Sequence, residues 1–208
     1  MTEQSSGAEI NFDHIAQNIF LPIYPVIADD ILTVTGKVCG RMMDIGCGGG
    51  HLGMALLEKA QYRGWFVDIS ESALQAAETH AQERGLTNRA VFLKQDVHCM
   101  DIPDDFADLI VSRSSYLFWV DLEKALLEIY RILAPGGRTY IGGGLGNVQL
   151  AASIREKMQA IIPGWPEHVL CRSAEITNEW IGETLDRNRI SHEIIDNEAK
   201  GRWFVMKK

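Results

Sequence analysis

Three carboxylates in this 208-residue chain stand at or just beyond the ends of short apolar runs: Asp44 in "RMMDIG", Asp68 in "GWFVDIS" and Asp96 in "FLKQDV". Behind the first comes a glycine-dense turn, Gly46-Cys47-Gly48-Gly49-Gly50, and then a helical pattern. Such a unit lets backbone N–H groups approach a ligand with no Cβ in the way. The string from Gly48 to Gly53 also fits GxGxxG, the pattern of dinucleotide-binding turns. Asp44 argues against that ligand. A carboxylate at the end of the first strand would face a pyrophosphate, and like charges at close range in a partly desolvated site repel by roughly a few kcal/mol. The same carboxylate suits a ligand that brings an ammonium and a sulfonium. Asp68 is placed to accept from ribose hydroxyls, a device that dinucleotide folds share. Asp96 is placed to accept from an adenine N6 amine, with the N–H of Val97 donating to a ring nitrogen. Each acid alone is an ordinary strand-end residue. Together they make a poor phosphate site and a good one for a cation carrying adenosine, such as S-adenosylmethionine (SAM).

These residues need elements to hold them, and the pattern supplies a regular alternation. Two short helical patterns occupy Asn11 to Thr35, with Pro22 and Pro25 between them and Pro25 suited to a first helical turn. "RMMDI" is a strand and Leu52–Ala60 a helix. "GWFVDI" is a second strand, followed by a helix that Ser70 caps and Gly85 ends, with Ala73, Ala77, His80 and Ala81 on one face. "RAVFLKQD" and "ADLIVSRS" are strands three and four. Leu122, Ala125, Leu126, Ile129 and Leu133 form one helical stripe, and "LAPGG" stops it. "RTYIGGG" is strand five. An amphipathic helix follows over Leu150 to Ile162, then another from about Ala174 to Arg189. "RISHEIID" and "GRWFVMK" are separated by hairpin distance, so one strand near the sheet edge is antiparallel. The alternation predicts a doubly wound, Rossmann-like α/β fold with helices on both faces, and ligands of such sheets bind at the carboxyl ends of the strands.

Length and composition predict a single domain over 1–208, with 10–35 as an N-terminal helical cap and 145–170 as a lid-like insertion. The first few residues are expected to be mobile. Hydrophobic content of 46% predicts a packed core, and a net charge of −8 disfavours a nucleic-acid face. No segment reads as a signal peptide or a bilayer span, so a cytoplasmic protein with no membrane partner is expected. Cys39, Cys47, Cys99 and Cys171 form no CxxC pair and are expected as buried or site-lining free thiols. His168 and Cys171 have a metal-like spacing without a second pair, so no metal site is read. Nothing in the pattern speaks against a homodimer.

The ordered motifs resemble those of the class I SAM-dependent methyltransferases, and among them the small "type 11"-like group, from about Ile10 to Ile141. "MMDIGCGGGHLG" is similar to the family's DxGxGxG motif on Asp44, Gly46, Gly48 and Gly50. "VDIS" resembles its ribose motif, with Ile69 stacking on adenine, and "QDV" its adenine motif. "ALLEIYRILAPGGRTYI" resembles the helix–PGG–strand piece before strand five. The resemblance implies a seven-stranded sheet of order 3-2-1-4-5-7-6 with strand 7 antiparallel. It implies SAM as cofactor and S-adenosylhomocysteine (SAH) as product. Asp44, Gly46, Cys47, Gly48, Gly50, Asp68, Ile69, Ser70, Asp96, Val97 and Arg113 are the expected cofactor residues.

The implied reaction is an in-line SN2-type methyl transfer to a small-molecule acceptor, driven by positioning and desolvation and needing no fixed base. The alternative is a SAM- or SAH-binding protein without turnover, a sensor or partner subunit. Beyond strand four, "SRSSYLFW" faces the expected acceptor site. Arg113 suits a carboxylate or phosphate of the acceptor, or the carboxylate of the methionine moiety. Tyr24, Ser114, Ser115, Trp119, Gly143 and Gly144 are candidate acceptor contacts, and His51, His98 and Tyr116 the candidate bases. "GGGLG", Gly142 to Gly146, departs from the family's pattern and predicts a sharp bend or a close approach to a ligand.

Overall fold

The computed structural model of the chain describes residues 12–166 and 174–208. His168, Cys171 and the initial residues expected to be mobile lie outside these ranges, as does part of the insertion over 145–170.

The N-terminal segment starts as α1 (Phe12–Ile15), continues through a π-type turn over Ala16–Phe20, and bends by 83° into α2 (Ile23–Thr35). Pro22 is the N-cap of α2 and Pro25 lies in its first turn, where a missing N–H breaks no helical bond. The alternating segment then runs β1 (Cys39–Ile45), α3 (His51–Lys59), β2 (Gln61–Asp68), α4 (Glu71–Glu83), β3 (Ala90–Lys94) and β4 (Ala107–Arg113). It continues with α5 (Leu122–Ile132), β5 (Leu133–Gly143), α6 (Val148–Ile161), α7 (Asn178–Arg187), β6 (Ser191–Asn197) and β7 (Gly201–Lys207). Ser70, Asp121, Asn147 and Thr177 cap α4, α5, α6 and α7, each accepting from an N–H in the first turn.

The strands form one seven-stranded sheet in the expected order β3-β2-β1-β4-β5-β7-β6. Neighbours from β3 to β5 are parallel, and β7 lies antiparallel between β5 and β6. Side-chain alternation splits the core in two. Met42, Leu109, Val111, Tyr140 and Trp203 pack with α2, α3 and α4 on one face. Met43, Ile110, Ile141 and Phe204 pack with α5 and α7 on the other. Among the described residues, no single helix is long and apolar enough to cross a membrane.

Several boundaries differ from expectation. β2 begins at Gln61 rather than Gly64, because its ladder with β1 starts at Cys39↔Gln61 and Tyr62 is buried there. The PGG segment stops α5 but does not precede strand five. β5 already pairs at Leu133↔Ala107, loops out over Pro135–Gly137, and resumes at Arg138↔Leu109. Leu133 therefore belongs to the strand, and Ile132 completes the buried stripe of α5. α7 starts at Asn178, not Ala174, because Thr177 caps it. Ile161, placed on the apolar stripe of α6 by its spacing, is 56% exposed. On α4 the buried stripe runs through Leu74 rather than Ala73. Cys39 and Cys99 are exposed rather than buried, and Cys47 is half-buried.

Candidate active site

The carboxyl ends of β1, β2 and β3 carry the three acids side by side. β1 leads into the glycine turn, which takes positive φ at Gly46 (64°), Gly48 (53°) and Gly50 (74°). The N–H groups of Gly46 and Cys47 donate to Val67 O on β2 at 2.8 and 3.1 Å, tying the turn to the neighbouring strand. A Cβ on Gly53 would lie 2.5 Å from Phe66 Cε1 and 3.0 Å from Asp44 Oδ2, so α3 packs on β1 and β2 only with glycine there. At Gly48 a Cβ would meet nothing within 4 Å, so the outer side of the turn is open.

Asp44 is 2% exposed, and its Oδ2 accepts from Gly53 N in the first turn of α3 at 2.9 Å. Burial pushes its carboxyl up from 3.8 to about 7. The Gly53 N–H pulls the other way, and the Asp68 charge adds to the rise. Asp68 Oδ2 accepts from Gly48 N and Oδ1 from Ser70 N, both at 2.9 Å. Each oxygen so engaged retains a lone pair for a hydroxyl. Ile69 beside it is 67% exposed, an apolar side chain at the crevice wall.

Asp96 Oδ1 accepts from His98 N at 2.9 Å and from His98 Nδ1 at 2.5 Å, contacts that hold its carboxyl below the usual range. Nε2 of His98 accepts from Asp121 N at 3.2 Å. These bonds assign the ring one proton, on Nδ1. Val97 is buried at 8% exposure. The Cys47 thiol donates to Gly48 O, and burial, reinforced by Asp44 and Asp68, raises its pKa.

β4 delivers Arg113 into an aromatic sleeve. Its guanidinium carbon lies 5.0 Å from the Phe20 ring centroid and 5.5 Å from that of Tyr24, and Nε donates to Gly144 O at 3.3 Å. Among the described residues no carboxylate forms an ion pair with it. Burial lowers its pKa. Burial also raises the Tyr24 hydroxyl, with Arg113 opposing and Asp44 and Asp13 reinforcing, which places this phenol amid the site's charges.

The other candidates at the β4 exit divide. Ser114 takes φ 64°, turning the chain. Ser115 Oγ donates to Ile45 O at 3.0 Å and contacts Ser112 Oγ, so it braces the β1–β4 junction. Tyr116 is 3% exposed, packs edge-on against Phe204, and accepts from Arg202 Nη2 at 2.9 Å. Its surroundings are those of a core residue. Trp119 is half-buried and, with Phe118, Val120, Ile176 and Trp180, lines a cavity of about 830 Å³.

The glycine run at the end of β5 lies hard against backbone of the β6–β7 hairpin. A Cβ on Gly142 would lie 2.1 Å from Arg202 O, and one on Gly144 2.1 Å from Lys200 O, both on or beside β7. Gly201 returns the approach, since its Cβ would lie 2.2 Å from Gly143 O. Side chains at these positions would strike the β6–β7 hairpin, which accounts for glycine there. Gly143 and Gly144 enter the site through the Gly144 carbonyl that receives Arg113.

One group of residues escaped the sequence reading. His51 and His80, both buried, have ring centroids 4.7 Å apart, and Tyr24 stacks on His51 at 5.3 Å. His80 Nδ1 donates to Gly49 O at 2.9 Å. His51 Nε2 donates to Asp13 Oδ1 at 3.3 Å. The Gln17 amide reaches Asp13 Oδ2 at 3.0 Å and His80 Nε2 at 2.5 Å. Burial, with the neighbouring His80, lowers the His51 pKa and keeps its ring neutral. Only the convergence of α1, the turn and α4 could reveal this set. By spacing alone, His80 is one more residue on a buried helical stripe.

A family model described as a methyltransferase domain matches residues 42–137. A crystal structure of a putative SAM-dependent methyltransferase from Methanococcus maripaludis is 36% identical with a TM-score of 0.91, covering 99% of this chain and 97% of that one. A demethylmenaquinone methyltransferase of Thermus thermophilus is 36% identical over 108 residues, 50% of this chain and 47% of the relative. A ubiquinone biosynthesis O-methyltransferase of Aeromonas salmonicida is 31% identical over 121 residues, 57% of this chain and 50% of the relative. The matches thus span about half the length of these two curated relatives. With this fold, this order of motifs and full-length likeness to the archaeal protein, the chain belongs to the class I SAM-dependent methyltransferases, whose cofactor is S-adenosylmethionine.

Proposed function

We propose that the chain transfers a methyl group from SAM to a small-molecule acceptor, with Asp44, Asp68 and Asp96 holding the cofactor. The observation that carries this reading is the buried Asp44 carboxyl, raised to about 7 beside an open glycine turn. Such a group favours a cationic partner and opposes a phosphate. In this reading Asp44 and the turn from Gly46 to Gly50 receive the methionine ammonium, and Asp68 and Ser70 face the ribose. Ile69, Asp96 and Val97 enclose the adenine. Arg113, lacking a carboxylate of its own among the described residues, takes that of the methionine moiety. When bound, SAM supplies the methyl group from its sulfonium.

The protein's contribution to the step is to orient and to exclude water. The sleeve of Phe20, Tyr24 and Arg113 closes one side of the crevice, and the turn closes the other. No base is required unless the acceptor must lose a proton. His98 already spends its proton on Asp96, and His51 is neutral within a network. Support for a small acceptor comes from the relatives named as a demethylmenaquinone methyltransferase and a ubiquinone biosynthesis O-methyltransferase, and from the acidic charge.

Calorimetry with SAM, SAH and NAD tests the cofactor: adenosyl ligands bind and NAD does not. Micromolar NAD binding without SAM binding overturns the reading. Labelled SAM incubated with cell extract tests turnover. A labelled small product is expected, and SAM binding without any product across extracts would favour a sensor.

A further inference from the structure

Three side chains from separate parts of the chain bring metal-ligand atoms to one point beneath α1, where a cation would replace the proton that His51 Nε2 gives to Asp13 and leave the ring protonated at Nδ1. Asp13 lies on α1, His51 opens α3, and His80 lies in the last turn of α4. Their ligand atoms all lie within 4.8 Å of one another. Asp13 Oδ1 and His51 Nε2 are 3.3 Å apart, and Asp13 Oδ2 and His80 Nε2 are 3.8 Å apart. A tetrahedral zinc with bonds of about 2.0–2.1 Å places its donors about 3.3 Å from each other. The spacing therefore needs only small side-chain rotations to meet a metal.

The surroundings are those of a ligand set. His80 donates Nδ1–H to the Gly49 carbonyl, which fixes the tautomer and aims the Nε2 lone pair at the cluster. Metal-bound imidazoles are oriented by such a second bond. Gly49 is required beneath the group, because a Cβ there would lie 2.1 Å from Asp13 Oδ1 and 3.0 Å from His51 Nε2. The Gln17 amide touches both Asp13 and His80, and a half-turn brings its carbonyl oxygen in as a fourth donor. Two imidazoles with a carboxylate select first-row transition cations over magnesium or calcium.

We propose that Asp13, His51 and His80 bind one divalent transition cation, which clips the N-terminal helix onto the glycine turn. The site is distinct from the three strand-end acids, and it stands whether or not the crevice holds SAM.

The test titrates the full chain, freed of metal, with Zn²⁺ by calorimetry and with Co²⁺ by visible absorption, both with magnesium in excess. The expected result is one equivalent of each cation. Cobalt should give visible bands without the near-ultraviolet thiolate band that a cysteine site would give. Zn²⁺ should slow hydrogen exchange over residues 12–20. His51→Gln and His80→Gln should each lose at least tenfold in affinity. Asp13→Asn, which alters only the half-buried helix residue, should lose the cation and the exchange protection while the fold persists. No binding at ~100 μM Zn²⁺, a thiolate band, or affinity unchanged in Asp13→Asn would each overturn the proposal.

Discussion

Asp44→Asn should stabilise the ligand-free protein while abolishing its affinity for SAM. The carboxyl is buried and titrates at about 7 instead of 3.8. Raising pH through that interval forces a buried group to ionise in the folded chain that would already be ionised in the unfolded one. The folded state therefore binds more protons between these values, and stability falls as pH rises from about 4 to about 7, then levels. At about 1.4 kcal/mol per pH unit, the full cost of the ionised carboxylate is ~4 kcal/mol, of which about 3 kcal/mol accrues between pH 5 and pH 8. Asparagine keeps an acceptor for the Gly53 N–H and removes the charge. Urea melts of wild type and variant, without ligand, should differ by a few kcal/mol in favour of the variant at pH 8 and much less at pH 5. SAH should then raise the melting point of wild type and not of the variant. A variant less stable than wild type at pH 8, or a difference that does not change with pH, would refute the reasoning.

Three further substitutions probe the site and its frame. Asp68→Ala removes the acceptor of both the Gly48 and Ser70 N–H groups, and its SAM affinity, read by calorimetry, should fall at least tenfold, more than in His98→Ala. Arg113→Met keeps the length of a side chain held between Phe20 and Tyr24 but removes its charge. Its dissociation constants for SAM and SAH should rise about tenfold with no loss of thermal stability, and an unchanged constant would remove Arg113 from the cofactor site. Gly142→Ala places a Cβ 2.1 Å from Arg202 O. It should cost about 3 kcal/mol or more in chemical denaturation, and a neutral effect would mean that the β5–β7 contact can open freely.

The sheet was legible because each parallel strand holds a short apolar run bounded by polar residues or glycine, and because the last two runs stand too close for a crossover. The strand-end acids were legible for the same reason, since each ends a run of known direction. Spacing could not separate residues that face the crevice from those that face the core. Ser115 and Tyr116 lie within one turn of Arg113, yet they turn to Ile45 and Phe204. The glycines at the end of β5 signalled a crowded backbone, and spacing could not show that β7 and Lys200 crowd it. The group of Asp13, His51 and His80 was invisible because its members are far apart in sequence and each satisfies a local pattern of its own.

The glycine contacts between β5 and β7 also bear on the order in which the molecule is assembled. The carbonyl that anchors Arg113 belongs to Gly144, whose path is set by the backbone at Lys200. The glycine turn and its three acids stand at the ends of β1 to β3, whose pairings Cys39↔Gln61 and Gly64↔Ala90 join neighbouring stretches of chain, whereas β5 meets β7 at Ile141↔Phe204. A growing polypeptide thus makes the half that carries the glycine turn and its acids well before the arginine sleeve acquires its support, and long-range pairings such as that of β5 with β7 form late. Pulse-labelled hydrogen exchange during refolding should find β1 and β2 protected before β5 and β7; simultaneous protection would mean that the sheet closes as one unit.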